Sequence, residues 1–262
     1  MPRKFDRAKS RAREKEEVRS IIQEDLHDGS DLVMRKPISA KFTINQLKWT
    51  DKQKELFSIC LDPDTRIVFI NGPAGTSKTM AAIYCGLQLL NMKWCTDLMY
   101  LRSAVESSQS KLGFLPGDAD EKLAFYNMPF SDKLDRMLTD TGQKKLRAEK
   151  RISTFPVNYA RGMDWPNKCI ILDEAQNSAY EEITTVLTRI NTGSRAFILA
   201  DPMQTDLRNG SRGGFMKMYN HFGDNEKALE HGIRTFEFTE EDVMRDPMLK
   251  YLIPELKNLK EF

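Results

Sequence analysis

A chain of 262 residues, 40% hydrophobic and 30% charged, is long enough for a sizeable core. It has no run of 18 apolar residues, which argues against a transmembrane helix and a membrane partner, and its first residues, Met1-Pro-Arg-Lys-Phe5, lack the apolar core of a secretory signal. Net charge is only +2, so affinity for nucleic acid must come from local patches; Cys60, Cys85, Cys95 and Cys169 show no CxxC spacing and read as reduced core thiols of a cytoplasmic protein.

Residues 1–20 carry eight Lys/Arg against four acidic residues, which fits either a solvated charged helix or a basic arm that touches nucleic acid. Residues 21–40 turn acidic and then turn-rich around His27-Asp-Gly-Ser30, and read as a linker. The expected organisation is a charged N-terminal helical extension with its linker over 1–40 and one domain over 41–262. A short helix begins at Thr50-Asp-Lys-Gln-Lys-Glu-Leu-Phe57, with Thr50 or Asp51 as its cap. Beyond it, strands are expected at 66–70, 97–102, 151–155, 168–172, 195–200 and 235–239. Helical patterns separate most of them, so the class is α/β: a mostly parallel sheet with helices on both faces. The stretch 103–150 is long for one connection and contains amphipathic helical segments.

The most specific local signal lies between the first strand and Met80-Ala-Ala-Ile-Tyr-Cys-Gly-Leu-Gln-Leu-Leu90. There Gly72-Pro73-Ala74-Gly75-Thr76-Ser77-Lys78-Thr79 has the spacing of a phosphate-binding loop. Its glycines let backbone N–H groups close around a polyphosphate, Lys78 reaches the β- and γ-phosphates, and Thr79 offers its hydroxyl to Mg²⁺. The anion would rest on the N-terminus of the following helix. Ser77 is the irregular position, because Gly ordinarily precedes the Lys.

Two further strand ends complete a hydrolytic set. In Cys169-Ile-Ile-Leu-Asp-Glu-Ala-Gln176, Asp173 is expected to hold the Mg²⁺ and Glu174 to orient or deprotonate an attacking water. A base beside the metal favours hydrolysis over transfer to a second substrate, which counts against a small-molecule kinase. In Leu199-Ala-Asp-Pro-Met-Gln-Thr-Asp-Leu207, Gln204 would sense the γ-phosphate or the water, and Asp201 would support the metal. Gln53, just inside the first helix, has the donor and acceptor to read an adenine edge, although a solvent-facing glutamine fits the local sequence equally well. Arg102, Arg189 and Arg245 are candidates for the guanidinium that stabilises a γ-phosphate transition state. For nucleic acid the candidates are Arg102, Ser103, Ser107, Ser108 and Lys111 after the second strand, and Tyr159 and Arg161 after the third; Ser, Lys and Arg contact phosphates and Tyr stacks on a base.

These segments together resemble the PhoH-like P-loop NTPases, including short versions common in bacteriophage genomes. The matching residues are GPAGTSKT (72–79), LRSAVE (101–106), KLGFLPGD (111–118), ILDEAQN (171–177), LTRI (187–190), DPMQTDL (201–207) and DVMRDPMLKYLI (242–253). Family members have Gly where Ser77 stands, Thr or Ser before the strand-two Arg where Leu101 stands here, and Pro where Ser103 stands. The resemblance implies a single RecA-like core related to superfamily-one helicases, an ATPase using ATP and Mg²⁺, and a proposed RNA helicase activity. It also implies no nuclease here, since only about 40 residues precede the core. A phage-encoded copy would work in the host cytoplasm. With one lobe where such helicases have two, an arginine must come from a neighbour, so a ring, expected to be a hexamer, is implied, with Arg245 as first and Arg189 as second trans finger. The leading expectation is an Mg²⁺-dependent ATPase on single-stranded RNA or DNA. The alternative is a nucleotide-gated binding or assembly protein with slow hydrolysis and no unwinding.

Overall fold

Six short apolar strands carry the fold: β1 (Ile67–Asn71), β2 (Asp97–Arg102), β3 (Ile152–Pro156), β4 (Lys168–Asp173), β5 (Arg195–Ala200) and β6 (Ile233–Glu237). Every pairing is parallel, in the order β3-β2-β4-β5-β1-β6. All six residues of β5 and five of six in β4 are buried, as a sheet covered on both faces requires. The computed structural model describes residues 35–102, 119–205 and 213–244, with 248, 251, 252 and 255; for 119–127 it describes the backbone alone.

The helices are α1 (Asp51–Cys60), α2 (Lys78–Asn91), α3 (Ala119–Met137), α4 (Asp140–Ala148), α5 (Tyr180–Leu187), α6 (Phe215–Gly223) and α7 (Glu226–Glu230). Alternation along the strands sorts the core into two layers. Val68, Ile70, Tyr100 and Ile171 face α1 to α4, meeting Leu56, Ile83, Phe130 and Leu146. Phe69, Met99, Ile170 and Ile198 face the opposite way, onto Ile183 and Val186 of α5 and Phe215 and Met218 of α6. Helix α2 lies close to the sheet because Gly86 sits over it; a Cβ there would come within 2.6 Å of Leu98 Cδ1. The result is the expected α/β fold, with an all-parallel sheet and helices on both faces. A strand stands between the one that feeds the phosphate loop and the one that ends in Asp173-Glu174.

Boundaries shift by one residue at β1, β3 and β4 and differ more at two points. The last strand begins at Ile233, because Ile233 and Arg234 continue the register against Ile67 and Val68. The packed domain begins by Arg35, ahead of the expected boundary at 41. Ile38 is 1% exposed within the core, Phe42 and Asn91 exchange two hydrogen bonds, and Arg35 pairs with Asp97. No helix among the described residues is long and apolar enough to cross a membrane. The four cysteines are free and buried; burial pushes the Cys95 thiol up to about 12.

Candidate ATP-hydrolysis site

Because the strands are parallel, their C-terminal ends share one edge of the sheet, and α2 starts there directly after β1. The connecting loop turns through left-handed positions at Gly75 (φ 93) and Ser77 (φ 63). Gly72 (φ 152) is packed so closely that an added Cβ would lie 2.6 Å from Phe238 Cβ. At Ser77 the left-handed conformation explains why glycine belongs in this position; a side chain there costs about 1–2 kcal/mol. Ser77 is the N-cap of α2, and its side chain makes no capping hydrogen bond. The first N–H groups of the helix have no intrahelical partner by geometry and favour an anion. Lys78 Nζ donates to the carbonyls of Gly72 and Pro73, at the foot of the loop it is expected to serve.

Long-range contacts brace this loop. The Met244 N–H donates to Gly75 O at 3.1 Å. The Gln53 amide donates to Thr76 O at 3.1 Å and to Met244 Sδ at 3.1 Å, while its oxygen accepts from the Thr50 N–H in a capping box. Gln53 is 1% exposed and both ends of its amide are engaged within the chain, so it supports the loop from behind.

Asp173 closes β4 opposite Thr79. The Thr79 hydroxyl lies 3.1 and 3.0 Å from its two carboxylate oxygens, Tyr100 OH donates to it at 2.7 Å, and the Glu174 N–H donates at 3.1 Å. A hydroxyl and a carboxylate are hard oxygen donors that suit Mg²⁺. That ion takes one or two protein ligands and completes its shell with phosphate and water. Among the described residues no cluster of three or more His, Cys, Asp or Glu side chains could hold a metal by itself, which fits an ion that arrives with a phosphate.

Glu174 follows in the left-handed region (φ 55, ψ 39), so its carboxylate is aimed by a conformation non-glycine residues seldom adopt. Gln176 donates to Glu174 Oε2, and its amide oxygen accepts from the Asp201 N–H at 3.0 Å, joining the ends of β4 and β5. Arg102, at the end of β2 and level with Asp173, places its guanidinium 3.8 Å from Glu174 Oε1. Sequence reasoning gave Gln176 no role, although it stands inside the Asp-Glu-Ala-Gln run. Gln204 ends a 3-10 turn (Pro202–Gln204) that Asp201 caps by accepting from the Met203 N–H at 3.1 Å.

A cleft of about 610 Å³ joins these parts. Its lining includes the loop residues Ser77, Lys78 and Thr79, the strand-end residues Asp173, Glu174 and Gln204, and Lys133 and Arg136 of α3. Those two cations were missed, because a helix in a long connection carries no motif. Burial lowers the pKa of Lys133 from its ordinary value, with the Asp173 carboxylate opposing the shift.

The remaining expected residues are spread more widely. Tyr159 ends a 3-10 turn (Val157–Tyr159) after β3, partly packed on the core, and Arg161 beyond it is exposed. Both follow the C-terminal end of β3, beside Arg102. Arg189 follows α5 on the way to the start of β5, at the opposite end of the sheet, and donates to Met163 O at 3.3 Å. It does not line the cleft of its own chain. Ser103, Ser107, Ser108, Lys111 and Arg245, and the charged extension over 1–34, lie outside the described residues.

Comparison with known proteins agrees with this assembly. A family model described as PhoH-like protein matches residues 47–256. A PhoH-like protein of Mycobacterium tuberculosis (strain ATCC 25618 / H37Rv) is 34% identical over 211 residues, covering 80% of this chain and 56% of its own length. One of Bacillus subtilis (strain 168) is 34% identical, covering 71% and 57%, and the Protein PhoH of Escherichia coli (strain K12) is 28% identical, covering 93% and 66%. The chain thus spans little more than half the length of the first two. These relatives are bacterial. Among solved structures, the Pif1 helicase from Candida albicans overlays with a TM-score of 0.37 at 14% identity, covering 74% of this chain and 40% of that one. A Bacteroides Pif1 helicase in complex with ADP-AlF3 and ssDNA gives 0.31 at 15%, covering 69% and 38%. At that distance nothing about activity passes from those proteins to this one. With the phosphate loop, the paired carboxylates and the family match in agreement, the chain belongs to the PhoH-like protein family.

Proposed function

We propose that this chain is an Mg²⁺-dependent ATPase whose turnover is coupled to single-stranded nucleic acid, RNA or DNA. The observation that carries the hydrolytic half is the meeting of Thr79, Asp173 and Glu174 in one cleft at the N-terminus of α2. Lys78 would exchange its loop carbonyls for the β- and γ-phosphates, and the helix N–H groups would hold the same anion. Mg²⁺, when bound by Thr79 and Asp173, supplies neutralising charge on the phosphate oxygens. Glu174 takes the proton of the attacking water, while Gln176 and Arg102 aim it and Gln204 reports the γ-phosphate.

The nucleic-acid half rests on Arg102. It ends β2 at the edge it shares with Tyr159 and Arg161, and it pairs with the proposed base. A phosphate that drew on Arg102 would alter how Glu174 is held, which gives the polymer a direct line to hydrolysis. A ring of subunits, a hexamer in the simplest case, with Arg245 or Arg189 entering a neighbour's cleft, belongs to this proposal, as do unwinding and action in the cytoplasm. The alternative, a nucleotide-gated binding or assembly protein, is favoured by the engagement of Glu174 with both Gln176 and Arg102, which would hold turnover slow.

The test is the ATP hydrolysis rate with and without single-stranded RNA and DNA, on material whose mass in solution is measured. Stimulation of roughly tenfold by at least one polymer is expected, and Arg102→Ala should abolish it. No response to either polymer would leave the gated-binding alternative, and a monomer that turns over at full rate would remove the ring.

A further inference from the structure

Two cations that line the cleft, Lys133 and Arg136, come from the chain's own α3. Its residues divide cleanly by helical spacing: Pro129, Asp132, Lys133 and Arg136 line the cleft, while Phe130, Leu134 and Met137 are buried in the core beneath. Phe130 stacks on Tyr100 at 4.6 Å with the rings 22° apart, and the same Tyr100 donates to Asp173 at 2.7 Å. Two side chains therefore register α3 against the carboxylate that would hold the metal, and Lys133 stands three positions beyond the stacked ring.

Lys133 is half-buried, and Nζ reaches back one turn to Pro129 O at 2.9 Å. An ammonium has three donors, and among the described residues this carbonyl is its hydrogen-bond partner. Carrying a charge into a partly desolvated cleft is unfavourable without an anion to meet it. Lys133 shares the cleft lining with Asp173 and Glu174, and those two carboxylates act on it together with Asp132 on its own helix, against the Arg102 guanidinium. Lys78 lines the same cleft.

We propose that Lys133 is a catalytic residue of this ATPase: a lysine supplied in cis by α3 that binds the γ-phosphate of ATP together with Lys78. The inference rests on the ATPase reading and adds to it. It makes hydrolysis intrinsic to each chain, with an arginine from a neighbouring subunit raising the rate and not enabling it. The lysine discriminates ATP from ADP, because only ATP carries the group it holds.

Lys133→Met keeps the length and apolar stem of the side chain and removes the charge; Lys133→Arg keeps the charge. Binding of ATPγS and of ADP, each with Mg²⁺, is measured by fluorescence titration alongside single-turnover ATP hydrolysis. Lys133→Met is expected to weaken ATPγS about tenfold and ADP less than about twofold, and to slow single turnover about 100-fold. Lys133→Arg should recover most of both. Equal loss for the two nucleotides, or no loss, overturns the proposal, and thermal melting of each variant shows that the fold is intact. A wild-type chain that binds neither nucleotide overturns the ATPase reading itself. A wild-type chain that turns over ATP while Lys133→Met keeps the same ATPγS to ADP ratio overturns this inference alone.

Discussion

Asp97 and Asp173 stand at opposite ends of the same pair of strands, β2 and β4, and both are nearly buried, at 4% and 6% exposure. Their surroundings differ in kind. Asp97 is ringed by fixed cations: Arg35 and Lys168 (2.8 Å) pair with it and Arg151 lies 4.0 Å away. Among the described residues Asp173 accepts from neutral donors, the hydroxyls of Thr79 and Tyr100 and the main-chain N–H of Glu174. A buried carboxylate neutralised by its own fold is a fastener. One held by neutral donors in a cleft that cations also line fits the proposed metal site.

The comparison breaks most sharply through catalysis. Glu174→Gln, beside Asp173, should lower ATP hydrolysis about 1000-fold while ATP binding persists, as measured by single-turnover assay and titration. Unchanged hydrolysis would remove Glu174 as the base. At the other end, Asp97→Asn should destabilise the fold by about 3 kcal/mol in urea unfolding, since it strands buried cations, yet leave nucleotide affinity of the folded molecule unaltered. A loss of affinity with no loss of stability would reverse the roles assigned to the two ends. The smallest effect is at the loop: Ser77→Gly should stabilise the protein by about 1 kcal/mol by relieving a left-handed residue, with turnover equal or faster. A fall in turnover would give the Ser77 hydroxyl a positive part in catalysis.

What could be read from sequence was what is local. The loop from Gly72 to Thr79 and the Asp173-Glu174 pair announce themselves because each motif is a few residues at the end of an apolar strand, and the structure brings them together through Thr79 and Asp173. The loop-bracing part of Gln53 could not be read locally, because it is set by partners 23 and 191 residues away, Thr76 and Met244. Lys133 and Arg136 went unseen for the same reason: a lysine and an arginine on an amphipathic helix look like surface charge until α3 is laid across the cleft by the Phe130–Tyr100 stack. The domain start was placed late because Arg35 and Ile38 sit in a polar stretch, and only their contacts with Asp97 and the core reveal them as part of the fold.

The bracing of the phosphate loop has a consequence for how the protein is born. Gly72 is pressed against Phe238, and Gly75 O is held by the main chain of Met244, so the loop near the middle of the first half takes its shape from residues synthesised more than 160 positions later. On the ribosome, an emerging chain would have β1 and α2 in hand long before β6 arrives to close them. Nucleotide would find no settled loop on a nascent chain that stops short of Met244.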